Sequence, residues 1–164
     1  MNKFNQRKAK SEKLYMPYVR NNRSGWEASA RRLQIEAAGM SQLEESKREK
    51  YSASPNIDNV HEWICAVHGP QNTPYQGGTF FVELRFSAEY PIKPPSCNFL
   101  TRIYHMNVTA EGKMEIPLLK KRWKATNSIT DILDGIYTVL GLLYVYLFRY
   151  PSFLMENCEC TEIL

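Results

Sequence analysis

Apolar residues recur along this chain with two different periods. Leu33, Ala37 and Met40 fall at i, i+4 and i+7, the spacing of one helical face. The pattern predicts a helix from about Trp26 to Gln42. Arg31, Arg32 and Glu36 lie off its stripe, and Gly39 weakens its end. Residues 43–59 (LEESKREKYSASPNIDN) are charged and then turn-rich. From Val60 the period changes to two. Val60–Gly69 places Trp63, Cys65 and Val67 on one face. Thr79–Phe86 sets Phe80, Val82, Leu84 and Phe86 against Phe81, Glu83 and Arg85. Ser96–Thr101 is a third strand candidate. Gly- and Pro-rich turns (Gly69-Pro70, Pro74 to Gly78, Tyr90 to Pro95) separate the three, which predicts an antiparallel meander.

Helical spacing returns after residue 128. Ile129, Ile132, Leu133, Ile136, Val139, Leu140 and Leu143 give a broad apolar face and predict a core helix over about 129–143. Ser128 and Asp131 resemble a capping box at its start. The uncharged run Ile136–Phe148 is too short for a membrane span, which needs about 20 residues; a buried helix followed by a strand or turn fits it better. Helix, meander, irregular loop and helix together predict an α+β fold with a sheet packed on helices.

The chain has 164 residues, 43% of them hydrophobic and 23% charged, the balance of one soluble globular domain. Charge alters the picture at the N-terminus. Residues 1–23 hold seven basic side chains, Lys3 to Arg23, against Glu12 alone, in a chain whose net charge is +4. Residues 1–24 therefore read as a basic disordered arm, either solvated or offered to an acidic partner. The arm lacks the aromatic interleaving of a single-strand nucleic-acid binder. Cys65 and Cys97 fall in strand candidates and read as buried small hydrophobes. Cys158 and Cys160 are too few for a zinc site. No metal or cofactor is expected, and the cysteine usage suits a reducing, intracellular compartment.

Gly69-Pro70, Pro74-Tyr75-x-Gly77-Gly78, Phe80-Phe81, Tyr90-Pro91-x-x-Pro94-Pro95, Phe99-x-Thr101, Ile103-Tyr104-His105-x-Asn107, Gly112 and Trp123 occur in that order. Their spacing resembles the catalytic core of the ubiquitin-conjugating enzymes over about residues 28–145. The resemblance implies an N-terminal helix, a four-stranded antiparallel meander, an active-site loop and a central helix. It divides the chain into an arm (1–24), a core (25–145) and a divergent C-terminal segment (146–164). It also implies a cysteine ten residues after the motif histidine, which takes ubiquitin as a thioester, and an oxyanion role for the motif asparagine.

Here the position ten after His105 is Glu115, which is also eight before Trp123, the family's other spacing. No cysteine lies between Cys97 and Cys158. A carboxylate is a poor nucleophile toward a thioester, and its product would be a high-energy mixed anhydride. Glu115 is therefore expected to be a solvated carboxylate on a shallow groove. His105 and Asn107 are expected to hold their own loop. Met106 replaces the motif proline, and no Asp, Glu or His occurs from Gly135 to Met155, where the family places an acidic residue or a histidine.

The family's last two helices are expected to be missing or replaced, as in the cysteine-less ubiquitin-conjugating enzyme variants. Tyr144, Tyr146, Phe148, Phe153 and Leu154 would then fold back over the core. The resemblance implies a catalytically inactive module, a pseudoenzyme that modulates ubiquitin transfer in the cytoplasm or nucleus. Its partners would be ubiquitin or a ubiquitin-like protein, an active conjugating enzyme, or a RING or HECT type ligase, with no membrane and no nucleic acid. Two alternatives stay open: an enzyme using Cys158 or Cys160, and a degenerate copy. Arg31 and Arg32 would face the activating enzyme or equally form a solvated helix face. Ile92, Lys124 and Ala125 would face ligases, with Ile92 where strong binders carry Phe and no proline stiffening the 124–126 loop.

Overall fold

Glu36, placed by periodicity outside the apolar stripe, sits instead at the junction of three parts of the chain. In the computed structural model, which describes residues 23–149, helix α1 (Arg23–Ser41) buries Leu33 and packs Ala37 and Met40 against the core, as its spacing predicts. Its Glu36 side chain is only 8% exposed. One carboxylate oxygen accepts from Arg32 Nε at 2.6 Å and from the Tyr90 hydroxyl at 2.5 Å. The other accepts from the backbone N–H of Ile129 at 2.7 Å. That amide opens helix α3 (Ile129–Arg149), where N–H groups lack intrahelical partners and the dipole favours an anion.

The charged stretch after α1 is more ordered than its composition predicts. It holds a single-turn helix, α2 (Glu45–Arg48), and a strand, β1 (Tyr51–Pro55). The strand was hidden because only Tyr51 on its inner face is large and apolar; Ala53 is small and Pro55 ends the strand. Strands β2 (Glu62–His68), β3 (Thr79–Arg85) and β4 (Ser96–Phe99) complete a four-stranded antiparallel sheet in sequence order. Register lines up the inward residues in rows: Ala53, Cys65, Val82 and Phe99 form one, and Trp63, Leu84 and Cys97 the next. Trp63, Cys65, Val67, Val82 and Leu84 are fully buried.

Helix α3 lies behind the sheet's inner residues with Ile129, Ile132, Leu133, Ile136 and Leu140 in the core. Its capping box forms: the Ser128 N–H donates to Asp131 Oδ2 at 2.8 Å, and the Asp131 N–H to Ser128 Oγ at 3.3 Å. The helix does not stop near residue 143, as its sequence suggests, but runs through Arg149 with no strand or turn in 144–149. That run carries no proline or glycine to break it. No helix among the described residues is long and apolar enough to cross a membrane. The basic arm up to residue 22, the segment from Tyr150 with Cys158 and Cys160, and the proposed covering by Phe153 and Leu154 lie outside the described residues.

Two further tethers fix the sheet's partners. Asp134 of α3 accepts from Tyr51 of β1 at 2.8 Å and from Lys47 of α2 at 2.7 Å. His61 joins α1 to the start of β2. Its Nε2 lies 2.9 Å from Ser29 Oγ, whose own proton goes to the Ser87 carbonyl at 3.2 Å, so Nε2 carries the hydrogen. The Trp26 ring stands edge-on to it, 4.3 Å between centroids. Burial pushes His61 down from 6.5 to about 4.

Glu36→Gln leaves Arg32 without its charge partner and weakens the contact at the α3 terminus. A loss of about 2–4 kcal/mol is expected, read as a lower urea midpoint. His61 is favoured neutral in the fold. Its contribution is complete above pH 6.5 and is lost as pH falls through about 4, on the order of 3 kcal/mol over that window. His61→Gln keeps a donor toward Ser29, so its stability should fall less steeply between those pH values in stepwise urea titrations.

Candidate functional site

The loop after β4 is organised by backbone pairing rather than by chemistry on its side chains. Residues 107–115 form a small hairpin. Val108 pairs with Met114, and the Glu115 N–H donates to the Asn107 carbonyl at 2.7 Å. Gly112 turns it with φ +86°, and a Cβ there would come within 2.6 Å of the Phe99 carbonyl oxygen, so only glycine fits. The hairpin joins β4 by bonds from Phe99 N to Gly112 O at 2.7 Å and from Met114 N to Cys97 O at 2.9 Å.

This pairing decides where Glu115 points. Met114 and Ile116 are both buried, and extended backbone alternates its side chains. Glu115 between them must face outward. It lines a groove of about 340 Å³ with Met106, Asn107, Ile116, Pro117, Lys120 and Lys121. Residues Pro117–Leu119 then make one 3₁₀ turn, with proline at its start, which returns the chain so that Lys120 faces Glu115. Behind this turn an added Cβ on Gly135 of α3 would lie 3.2 Å from Leu118, so the turn and the helix pack closely.

The Glu115 side chain is 40% exposed, and its two oxygens lie 3.1 Å from Lys120 Nζ and 3.9 Å from Lys113 Nζ. Lys120's hydrogen bond and charge, aided by Lys113, hold the carboxyl below its usual range. Glu115 is thus a partly exposed carboxylate on a groove, and it is also ion-paired. The lysines escaped the sequence reading because only the 3₁₀ turn brings Lys120 back; Pro117 was the available signal.

His105 is buried. Its Nδ1 accepts from the Asn107 N–H at 2.9 Å, and Nε2 donates to the Val139 carbonyl of α3 at 3.3 Å. Burial lowers its pKa, and the Val139 carbonyl partly opposes this. The Asn107 amide donates to the Glu115 carbonyl at 3.2 Å. The structure therefore brings His105, Asn107 and Glu115 together, with both polar side chains bonded to backbone.

The other predicted residues lie on two further surfaces. Ile92 is 77% exposed on the Tyr90–Pro95 turn. Trp123 ties that turn to the loop bearing Lys124 and Ala125 by donating from Nε1 to the Pro91 carbonyl at 2.8 Å. Asn127 stiffens the second loop in place of a proline: its Oδ1 accepts from the Lys124 N–H at 2.8 Å, and its own N–H bonds the Lys124 carbonyl at 2.9 Å. Arg31 is exposed on α1. Arg32 is half-buried; it holds Glu36 and reaches the Asn127 carbonyl at 3.3 Å.

Cys65 and Cys97 are buried and reduced. Burial raises both thiols, Cys97 to about 12, so neither supplies a thiolate at neutral pH. Replacing Lys120 by Met should move the Glu115 titration upward toward the ordinary carboxyl range, followed by carboxyl-carbon NMR. The depressed value means that Glu115 favours the fold above that range. This contribution is lost as pH falls through the folded value, and the variant should show less of the loss.

Comparison with known proteins adds to this geometry. The sequence model described as ubiquitin-conjugating enzyme matches residues 32–142. Among solved structures, human ubiquitin-conjugating enzyme E2 G1 is similar, with a TM-score of 0.62 and 28% sequence identity. That match covers 66% of this chain and 91% of the other.

Proposed function

The chain belongs to the ubiquitin-conjugating enzyme family, and we propose that it modulates ubiquitin transfer by binding, without carrying ubiquitin as a thioester. The carrying observation is Glu115. By the spacing that the resemblance implies, counted from His105 and from Trp123, it falls where the family's cysteine would stand, and its charge is engaged by Lys120. Transfer to a carboxylate would exchange a thioester for a mixed anhydride, an uphill step where exchange between thiols is near neutral. The burial of Cys65 and Cys97 and their raised thiols support the same reading.

Binding would use the surfaces this fold keeps. Arg31 on α1 faces solvent as a contact for the activating enzyme. Ile92, Lys124 and Ala125 lie on two bonded loops as a contact for a RING or HECT type ligase. Ubiquitin itself or an active conjugating enzyme are the other partners in this reading, and the chain would act in the cytoplasm or nucleus. His105 and Asn107 hold the loop in shape, and Asn107 has no acyl intermediate to stabilise.

The test is incubation with ubiquitin-activating enzyme, ubiquitin and ATP, followed by gels with and without reductant. No reductant-sensitive adduct is expected. An adduct would overturn the proposal, and its loss in Cys158→Ser or Cys160→Ser would identify a non-standard nucleophile. Glu115→Cys is expected to gain a reductant-sensitive adduct that the native chain lacks.

A further inference from the structure

The groove at Glu115 carries more positive charge than its single carboxylate balances. Lys120 and Lys121 line it, and Lys113, Arg122 and Lys124 fall near them in sequence, with Glu115 as the only acid in residues 113–124. Lys113 and Lys120 share Glu115. Among the described residues, the side chains of Lys121, Arg122 and Lys124 meet no carboxylate. All three are exposed. At the other end of the groove Met106 is 67% exposed. The lining therefore offers an apolar contact, Met106, together with Lys120 and Lys121, which suits a segment with apolar residues followed by acids.

This chain contains such a segment. Residues 150–164 (YPSFLMENCECTEIL) hold Glu156, Glu159 and Glu162 with no Lys or Arg, directly after Phe153-Leu154-Met155. Residues 1–22 carry six basic side chains against Glu12, so the groove would repel them. We propose that residues 150–164 dock in the groove at Glu115 of the same molecule, with Met155 near Met106 and the glutamates along Lys120, Lys121 and Arg122.

Reach agrees with charge. α3 passes the groove at Val139, whose carbonyl is 3.3 Å from His105 Nε2, next in sequence to Met106. From Val139 to Arg149 the helix travels about 15 Å at ~1.5 Å per residue. An extended return over about 15 Å takes roughly five residues at ~3.3 Å each. Residues from about Met155 onward are thus within reach of Met106. Docking makes the groove self-occluded: an acidic segment of another protein enters only by displacing this one. The inference is independent of whether Glu115 or any cysteine does chemistry.

The test uses the full chain and a carbodiimide, which joins a carboxylate to an amine only in direct contact. A mixture of ¹⁴N and ¹⁵N protein separates links within one molecule from links between two. Peptide mapping is expected to find Glu156, Glu159 or Glu162 joined to Lys120 or Lys121 within one molecule. The links should fall at least tenfold in 0.5 M salt, and Lys120→Glu/Lys121→Glu, which lacks the amines, serves as the blank. They should return when that variant also carries Glu156→Lys/Glu159→Lys/Glu162→Lys. Circular dichroism checks that each variant folds. Links to the arm lysines Lys8, Lys10 or Lys13, links only between molecules, or no links from these glutamates would each overturn the proposal.

Discussion

One carboxylate, Glu36, sets the relation between the first helix, the proline turn and the central helix. It accepts from Arg32, from Tyr90 and from the first amide of α3. A buried charge is costly unless fully partnered, and here three donors from three segments satisfy it. Each donor is useful elsewhere too. Arg32 reaches Asn127 at the end of the Trp123 loop, and Tyr90 stacks edge-on with Phe86 in the core, 4.7 Å between centroids. The Ile129 amide would otherwise be an orphan at a helix terminus. The two exposed loops bearing Ile92 and Lys124 thus inherit their positions from a single interior anion. Arg32 contributes to that framework, which leaves Arg31 as the exposed cation of the pair.

Where a residue's role depends on its nearest sequence neighbours, the chain announced it. The alternation of β2 and β3 placed Trp63, Cys65, Val67, Val82 and Leu84 inward, and the structure buries all of them. The Ser128–Asp131 box and the apolar face of α3 were legible for the same reason. Glu36 was not, because helical spacing marks it polar and says nothing of donors arriving from residues 90 and 129. β1 was missed because its inner face carries only one large apolar side chain. The last two turns of α3 were missed because a continuous apolar run has no period to distinguish helix from strand.

The site divides in the same way. The ordered motif residues from Gly69 to Trp123 gave its outline, and their spacing gave the position of Glu115. The hairpin then explains that position without reference to chemistry. Gly112 allows the turn, Val108 and Met114 pair, and alternation between buried Met114 and Ile116 turns residue 115 into the groove. Nothing in this scaffold requires a thiol. His105 and Asn107 spend their hydrogen bonds on the loop and on α3, so the shape persists whichever side chain projects there. The partner lysines were not legible, because Lys120 approaches Glu115 through the turn at 117–119 rather than through a local motif.

The same lysines would act differently on a carboxylate and on a thiol at residue 115. A shorter thiol side chain at residue 115 would still lie in the field of Lys120 and Lys113, and nearby cations lower a thiol's pKa and favour the thiolate. The electrostatic surroundings therefore favour a cysteine nucleophile at least as much as they favour the glutamate now present. Backbone support and groove do not depend on which side chain stands there; what differs between the two is the atom that would attack. A carboxylate gains from the same lysines in stability while losing nucleophilicity, since pairing lowers its basicity. Lys120 thus acts in opposite directions for the two side chains: its charge would favour the thiolate of a cysteine, and it lowers the basicity of a carboxylate that is already deprotonated.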